Sequence, residues 1–189
     1  MVGGALFLEG APFAFCYSCG MATVTLRNAL DCSPEAYFEG CLFDEAYTTR
    51  LFKDVLKFPG IEVLEIKRDG DLWKRRVKVM PPMTGIPGPV KKMIGDSMSY
   101  VEEGTYDTKA KRYTYTVTPS TAAEKTKTAG EAWCEIEGGK TILVTKFTID
   151  VKVMLIGGKI EEKIIDDLRA SLDQATPFIT SFVKEKGLS

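Results

Sequence analysis

Histidine is missing from all 189 residues of the chain. That absence removes the usual general base near neutral pH, the commonest metal ligand, and the base of every Ser–His or Cys–His nucleophile pair. Any catalysis is confined to carboxylates, Lys, Tyr or Cys. An excess of charge of one sign is also lacking: 25 Lys and Arg stand against 26 Asp and Glu, for a net charge of −1. No overall basic field is available to recruit nucleic acid. The local clusters Lys67-Arg68, Lys74-Arg75-Arg76 and Lys91-Lys92 are each offset by nearby acids and read as solvated faces. Cysteine is present but unpatterned. Cys16, Cys19, Cys32, Cys41 and Cys134 are odd in number and irregular in spacing, unlike a secreted disulfide framework. Cys16 and Cys19 form a CxxC, but no second pair follows at zinc-ligand spacing, and the motif precedes the first strand instead of joining strand to helix. Hydrophobic runs of membrane-spanning length are lacking as well. The expectation is a soluble, cytoplasmic chain with no cofactor and no metal.

What is there is an ordinary globular balance, 44% hydrophobic and 27% charged. The length suits one domain with a substantial core. Residues 1–20 are apolar but contain Glu9 and lack a basic leader region, whereas Met21 opens directly into a strand pattern. They read as a dispensable or poorly ordered extension, and residues 21–189 as the single domain.

The strongest periodicity lies in the last third. Leu143, Thr145, Phe147, Ile149, Val151 and Val153 alternate with Lys146, Thr148, Asp150 and Lys152, predicting a half-buried strand over Thr141–Met154. Gly157 and Gly158 read as a pause. Lys159–Lys186 then repeats apolar residues every three or four positions (Ile160, Ile164, Leu168, Leu172, Ala175, Ile179, Phe182), predicting one long helix. Upstream, Ala22–Leu30 reads as a strand. Asp31 or Ser33 caps a helix carrying Pro34 in its first turn, and Asp44 caps a second helix through Leu56. Ile61–Lys67 and Leu72–Met80 form a hairpin about Asp69-Gly70. A stretch rich in Pro and Gly follows, with a short helix over Val90–Ile94. The strands Met98–Tyr106, Arg112–Thr118 and Thr128–Ile136 complete the series. The order is α+β: a strand, two short helices, about six more antiparallel strands, and a long helix covering the concave face of the curved sheet.

Two phosphate-binding imitations fail on inspection. Gly138-Gly139-Lys140-Thr141 has Cys134 where a phosphate loop needs its first glycine, and a strand where it needs a helix. At Gly157-Gly158 the first helical turn already carries Glu161 and Glu162, which suit the helix dipole in place of an anion.

The element order resembles the helix-grip fold of the START / Bet v 1-like (SRPBCC) superfamily of lipid-transfer proteins, polyketide cyclases and plant hydrophobic-ligand binders. The segments Ile86–Gly95 and Val151–Glu161, with the Ser33-Pro34-Glu35 helix opening, are similar to those of an uncharacterised bacterial family within it. The resemblance covers roughly Ala22 to Lys186 and carries no catalytic motif. The plant binders' glycine-rich loop has no counterpart. The resemblance implies a hydrophobic cavity between sheet and helix, for a lipid, sterol or polyketide-like molecule.

The residues expected to line that cavity are Trp73, Arg75, Val77 and Val79 on one strand, Tyr100 and Glu102 on the next, and Tyr113 and Tyr115 on a third. Phe147 and Ile149, the helical Leu168, Leu172 and Phe178, and Met93 of the Pro/Gly stretch join them. Apolar walls would bury the ligand while Arg75, Glu102 and the tyrosine hydroxyls orient it. The bland alternatives are that some of these faces meet solvent, or that Arg75 and Glu102 pair structurally. Met80–Gly95, with its methionines and Lys91-Lys92, suits a gate or a transient membrane contact. The leading reading is binding and carriage or sequestration of a lipid- or sterol-like molecule. The alternatives are a cyclase or proton-transfer enzyme using Glu102, Arg75 or a tyrosine, and a protein-interaction module with a collapsed cavity.

Overall fold

In the computed structural model, residues 21–86, 88–154 and 156–188 are described, without the side chains of Pro89 and Met93. The extension 1–20 and its CxxC lie outside them. The chain forms β1 (Ala22–Leu30), α1 (Pro34–Tyr37), α2 (Glu45–Arg50), β2 (Gly60–Asp69), β3 (Leu72–Met80), α3 (Gly88–Ile94), β4 (Tyr100–Asp107), β5 (Arg112–Pro119), β6 (Thr126–Glu137), β7 (Lys140–Val151) and α4 (Gly157–Lys186). The seven strands make one antiparallel sheet in the order β1-β7-β6-β5-β4-β3-β2. β2 to β7 follow one another as hairpin neighbours. β1 instead joins β7 at the far edge, so the α1–α2 unit carries the chain across the sheet to begin β2.

The caps are those the side chains dictate. Ser33 Oγ accepts from the Ala36 N–H at 3.1 Å, and Asp44 Oδ1 accepts from the Tyr47 N–H at 2.8 Å. Both short helices then widen into π-helical turns, over Phe38–Leu42 and Leu51–Val55, so the second is not the uniform helix its periodicity predicts. The second wide turn ends where Phe52 meets Phe58 edge-on, ring centroids 5.3 Å apart.

β7 also ends earlier than its alternation suggests. Val151 pairs with Thr126, the first residue of β6, and nothing extends the neighbouring strand to match Val153 or Met154. The Val151 N–H instead donates to Glu161 Oε1 of α4 at 2.8 Å, tying the strand end to the first turns of the helix. Gly157 and Gly158 are not a pause but the opening turn of α4. The reason for glycine is proximity: a Cβ on Gly157 would sit 2.3 Å from the Val151 carbonyl oxygen.

At about 1.5 Å per residue α4 is on the order of 45 Å long and spans the concave face. Its backbone comes closest to β1, β7 and the α1–α2 unit. Two apolar clusters result. One joins Phe38, Cys41, Phe43 and Tyr47 to Tyr106, Tyr113, Leu143, Ile179 and Phe182. The other sets Phe147, Ile149 and Val151 against Ile160, Ile164, Ile165 and Leu168. Tyr115 packs against both. Replacing Gly157 by Ala should cost about 1–3 kcal/mol in urea unfolding, because a backbone carbonyl cannot rotate away as a side chain can. An unchanged midpoint would show that the β7–α4 joint is not as tight as described.

Candidate functional site

Strand alternation brings Trp73, Arg75, Val77 and Val79 of β3 to the inner face beside Tyr100, Glu102, Gly104 and Tyr106 of β4. The register sets Val79 opposite Tyr100, Val77 opposite Glu102, Arg75 opposite Gly104 and Trp73 opposite Tyr106. On β5, Tyr113 and Tyr115 continue the same face, opposite Tyr106 and Gly104. Three residue columns that period-two patterning could assign only strand by strand are therefore one surface.

At its centre Arg75 Nη1 donates to Glu102 Oε1, and the Tyr113 hydroxyl donates to the same oxygen at 2.8 Å. The Arg75 side chain retains 4% of its surface and that of Glu102 18%. Burial pulls the Arg75 pKa down, but Glu102, Tyr113 and Tyr37 together more than offset it, and the guanidinium stays charged. The structural pairing of Arg75 and Glu102 weighed from the sequence is thus real.

Room for these groups comes from glycine. A Cβ on Gly104 would lie 2.0 Å from the Tyr113 hydroxyl, and one on Gly130 would lie 2.1 Å from Tyr115 Cζ. Each tyrosine ring lies across a glycine of the neighbouring strand, and the two rings stack with centroids 5.3 Å apart. Side chains at 104 and 130 would lift both rings into the interior.

The α1–α2 unit contributes what the strand patterns could not show. Tyr37 and Tyr47 read in sequence as apolar faces of short helices. Both are buried in the structure, and burial raises their phenol pKa values, with the Arg75 charge offsetting a part of the rise. Thr48 Oγ1, Trp73 Nε1 and Arg75 Nε are buried without a hydrogen-bond partner among the described residues. Burial raises the phenol pKa values of Tyr37, Tyr47, Tyr100, Tyr113 and Tyr115 above the ordinary range, with the Glu102 charge adding to the shift at Tyr100, Tyr113 and Tyr115. Burial likewise pushes the Cys41 and Cys134 thiols up to about 12, so neither is a ready nucleophile at neutral pH.

The other expected residues separate. Val77 and Val79 are fully buried, at 0% exposure. Trp73 stacks on Phe43 at 5.3 Å, and Phe178 on Tyr47 at 5.3 Å, both in the cluster under the short helices. Phe147, Ile149 and Leu168 belong to the opposite cluster. Leu172 is half-buried on α4, and the Met93 side chain lies outside the described residues. Two depressions are present: one of about 530 Å³ on the outer side of the sheet over Lys74, Arg76, Glu103 and Thr116, and one of about 430 Å³ at the edge strand β2, beside its bulge at Leu64 and Glu45 of α2. Among the described residues no group of three or more Cys, Asp or Glu converges as metal ligands, and no helix is long and apolar enough to cross a membrane.

Removing one partner of the inner pair should be far worse than removing both. Glu102→Leu leaves a buried unpaired guanidinium and should cost about 3–5 kcal/mol, whereas the double variant Arg75→Met/Glu102→Leu should recover most of that loss. Equal destabilisation of the single and double variants in urea unfolding would contradict the pairing. The tyrosines give a pH test. Their raised folded pKa values contribute stability that is intact below the unfolded value of about 10 and is lost as pH climbs above it. Absorbance at 295 nm should therefore show at least five of the seven tyrosines ionising together with loss of the far-ultraviolet signal. Independent titration of all seven in the folded protein would refute their burial.

The fold recurs in solved structures of low sequence identity. An aromatase/cyclase from Streptomyces superposes with a TM-score of 0.58 at 10% identity, over 88% of this chain and 96% of its own. The allergen Ara h 8.0201 gives 0.59 at 13%, over 86% and 99%. Norcoclaurine synthase from Thalictrum flavum, in complex with dopamine and hydroxybenzaldehyde, gives 0.58 at 12%, over 97% and 98%. No curated protein matches the chain. The architecture is thus the helix-grip (SRPBCC) fold that the element order resembles. The family described as "Protein of unknown function (DUF2505)" matches residues 25–183, and the chain belongs to that family.

Proposed function

We propose that this protein binds a hydrophobic small molecule, lipid- or sterol-like, between the inner face of β3–β5 and α4, for carriage or sequestration. The observation that carries the reading is the composition of that face. Tyr100 and Tyr115 keep accessible surface although burial raises their phenol pKa values, as expected of side chains turned toward an enclosed space. Beside them a buried ion pair offers a fixed polar point among aromatic rings. The α1–α2 unit covers Trp73, Tyr106 and Tyr113, and the backbone of α4 comes nearest to β1 and β7, so a guest would lie beside Tyr100, Glu102 and Tyr115. Apolar burial would supply affinity at about 25 cal/mol per Å², and the few polar groups would set orientation. Norcoclaurine synthase, of the same fold, holds dopamine and hydroxybenzaldehyde, which supports small-molecule binding by this architecture.

Access would come at the rim where β3 ends and β4 begins. Met80 there is 42% exposed, and Lys91 and Lys92 are exposed on α3, so Met80–Gly95 would serve as a gate that touches a membrane transiently. A second reading rests on Glu102. A carboxylate held by an arginine and a tyrosine in a largely dry site is also suited to proton transfer, and would make the protein a histidine-free relative of the cyclases.

Native mass spectrometry of the purified protein, followed by solvent extraction, tests the binding reading. A discrete non-covalent adduct of lipid-like composition is expected. A protein that is free as purified and stays free after incubation with mixed lipids would overturn it in favour of an interaction module.

A further inference from the structure

The inner pair is asymmetric, and the asymmetry bears on what the guest must carry. Both hydrogen bonds to Glu102 end on Oε1, one from Arg75 Nη1 and one from the Tyr113 hydroxyl. Oε2 has no partner among the described residues. It is also absent from the sealed, unpartnered polar atoms, which are Thr48 Oγ1, Trp73 Nε1 and Arg75 Nε. Oε2 therefore faces accessible space while its neighbour is fully engaged. The arginine is turned the other way: its side chain is 4% accessible against 18% for Glu102, and its Nε is shut in. What the pair shows to the interior is the carboxylate.

The groups around that oxygen have the same character. Tyr100 lies two residues from Glu102 on the same face of β4, Tyr115 stands diagonally across from it on β5, and neither hydroxyl makes a hydrogen bond among the described residues. Hydroxyls adapt, donating or accepting as the guest requires, but a carboxylate oxygen only accepts. A guest bringing a hydroxyl can donate to Oε2 and accept from a tyrosine in return. A guest bringing its own carboxylate would set two acceptors against each other in a poorly solvated place, and a pure hydrocarbon would strip water from Oε2 without replacing its hydrogen bond.

From this geometry we infer that Glu102 is the specificity-determining group of the interior, and that it selects a neutral apolar molecule bearing a hydroxyl, an alcohol or phenol, over fatty-acid-like anions and over bare hydrocarbon. The inference rests on the binding reading above and narrows it.

Three ligands of nearly the same shape separate the two. 2-Naphthol, 2-naphthoate and 2-methylnaphthalene are titrated at pH 7 into the full-length protein, with amide NMR shifts as the readout. Naphthol should bind about tenfold or more tightly than either of the others, as expected for a hydrogen bond to a charged acceptor. Its shifts should centre on the amides of Glu102, Gly104 and Tyr115. In Glu102→Gln the side-chain amide can donate as well as accept, so the gap between naphthol and naphthoate should close to about threefold or less. The wild-type comparison stands alone if that variant fails to fold. Equal binding of all three ligands, or tighter binding of naphthoate, would overturn the selection for a hydroxyl while leaving an interior binding site in place. Saturable binding of none of them would overturn both.

Discussion

A charged guanidinium buried at 4% accessibility needs a partner, and much of this interior follows from that requirement. Glu102 provides the partner from the adjacent strand, and Tyr113 from the strand beyond it binds the same carboxylate oxygen. Three neighbouring strands are thereby joined on the inner face by polar contacts that tolerate little slippage. A shift of one residue would turn Arg75 outward and leave Glu102 and Tyr113 without it. The glycines at 104 and 130 belong to the same arrangement, because only without a Cβ can Tyr113 and Tyr115 lie flat beside the pair.

The apolar mass is distributed around this constraint. Aromatic rings from the α1–α2 unit and the C-terminal half of α4 fill one end, and Phe147, Ile149 and Val151 of β7 with aliphatic residues of the N-terminal half of α4 fill the other. Tyr115 touches both clusters and so marks the seam between them. Interactions worth most when dry gather at that seam, where the protein keeps hydroxyls and a carboxylate instead of more hydrocarbon. Stability alone does not call for this, since well-packed apolar residues commonly do as well as a buried ion pair. A binding role gives the polar groups a purpose that packing does not.

The fold was legible because its signals are local. Alternation marked each strand to within a few residues, and Ser33 and Asp44 announced their helices by cap chemistry that the structure reproduces. The departures were places where a local pattern met a tertiary limit. Val153 and Met154 continue the alternation of β7, but β6 supplies no residue to pair with them. Gly157 looked like a pause because glycine in sequence does not distinguish freedom of backbone from closeness of a neighbour.

The site was legible in its members and not in its assembly. Arg75, Glu102, Tyr113 and Tyr115 stand out as polar or amphipathic residues within strands, yet each strand offers two faces, and nothing within a strand says which turns inward. That choice depends on sheet register and on the side that α4 covers. Tyr37 and Tyr47 carried only the signature of a helix face, so their place beside the strand residues depended on the crossing from β1 at one edge to β2 at the other. By itself the sequence determined the elements, their order, the histidine-free chemistry and the α+β class, because these depend on residue type and spacing over a few turns or strand repeats. Only the tertiary structure decided that Arg75 meets Glu102, that one carboxylate oxygen is engaged and the other open, and that two tyrosines rest on two glycines. Those facts depend on distances between residues far apart in the chain, which cooperative packing sets and local periodicity does not encode.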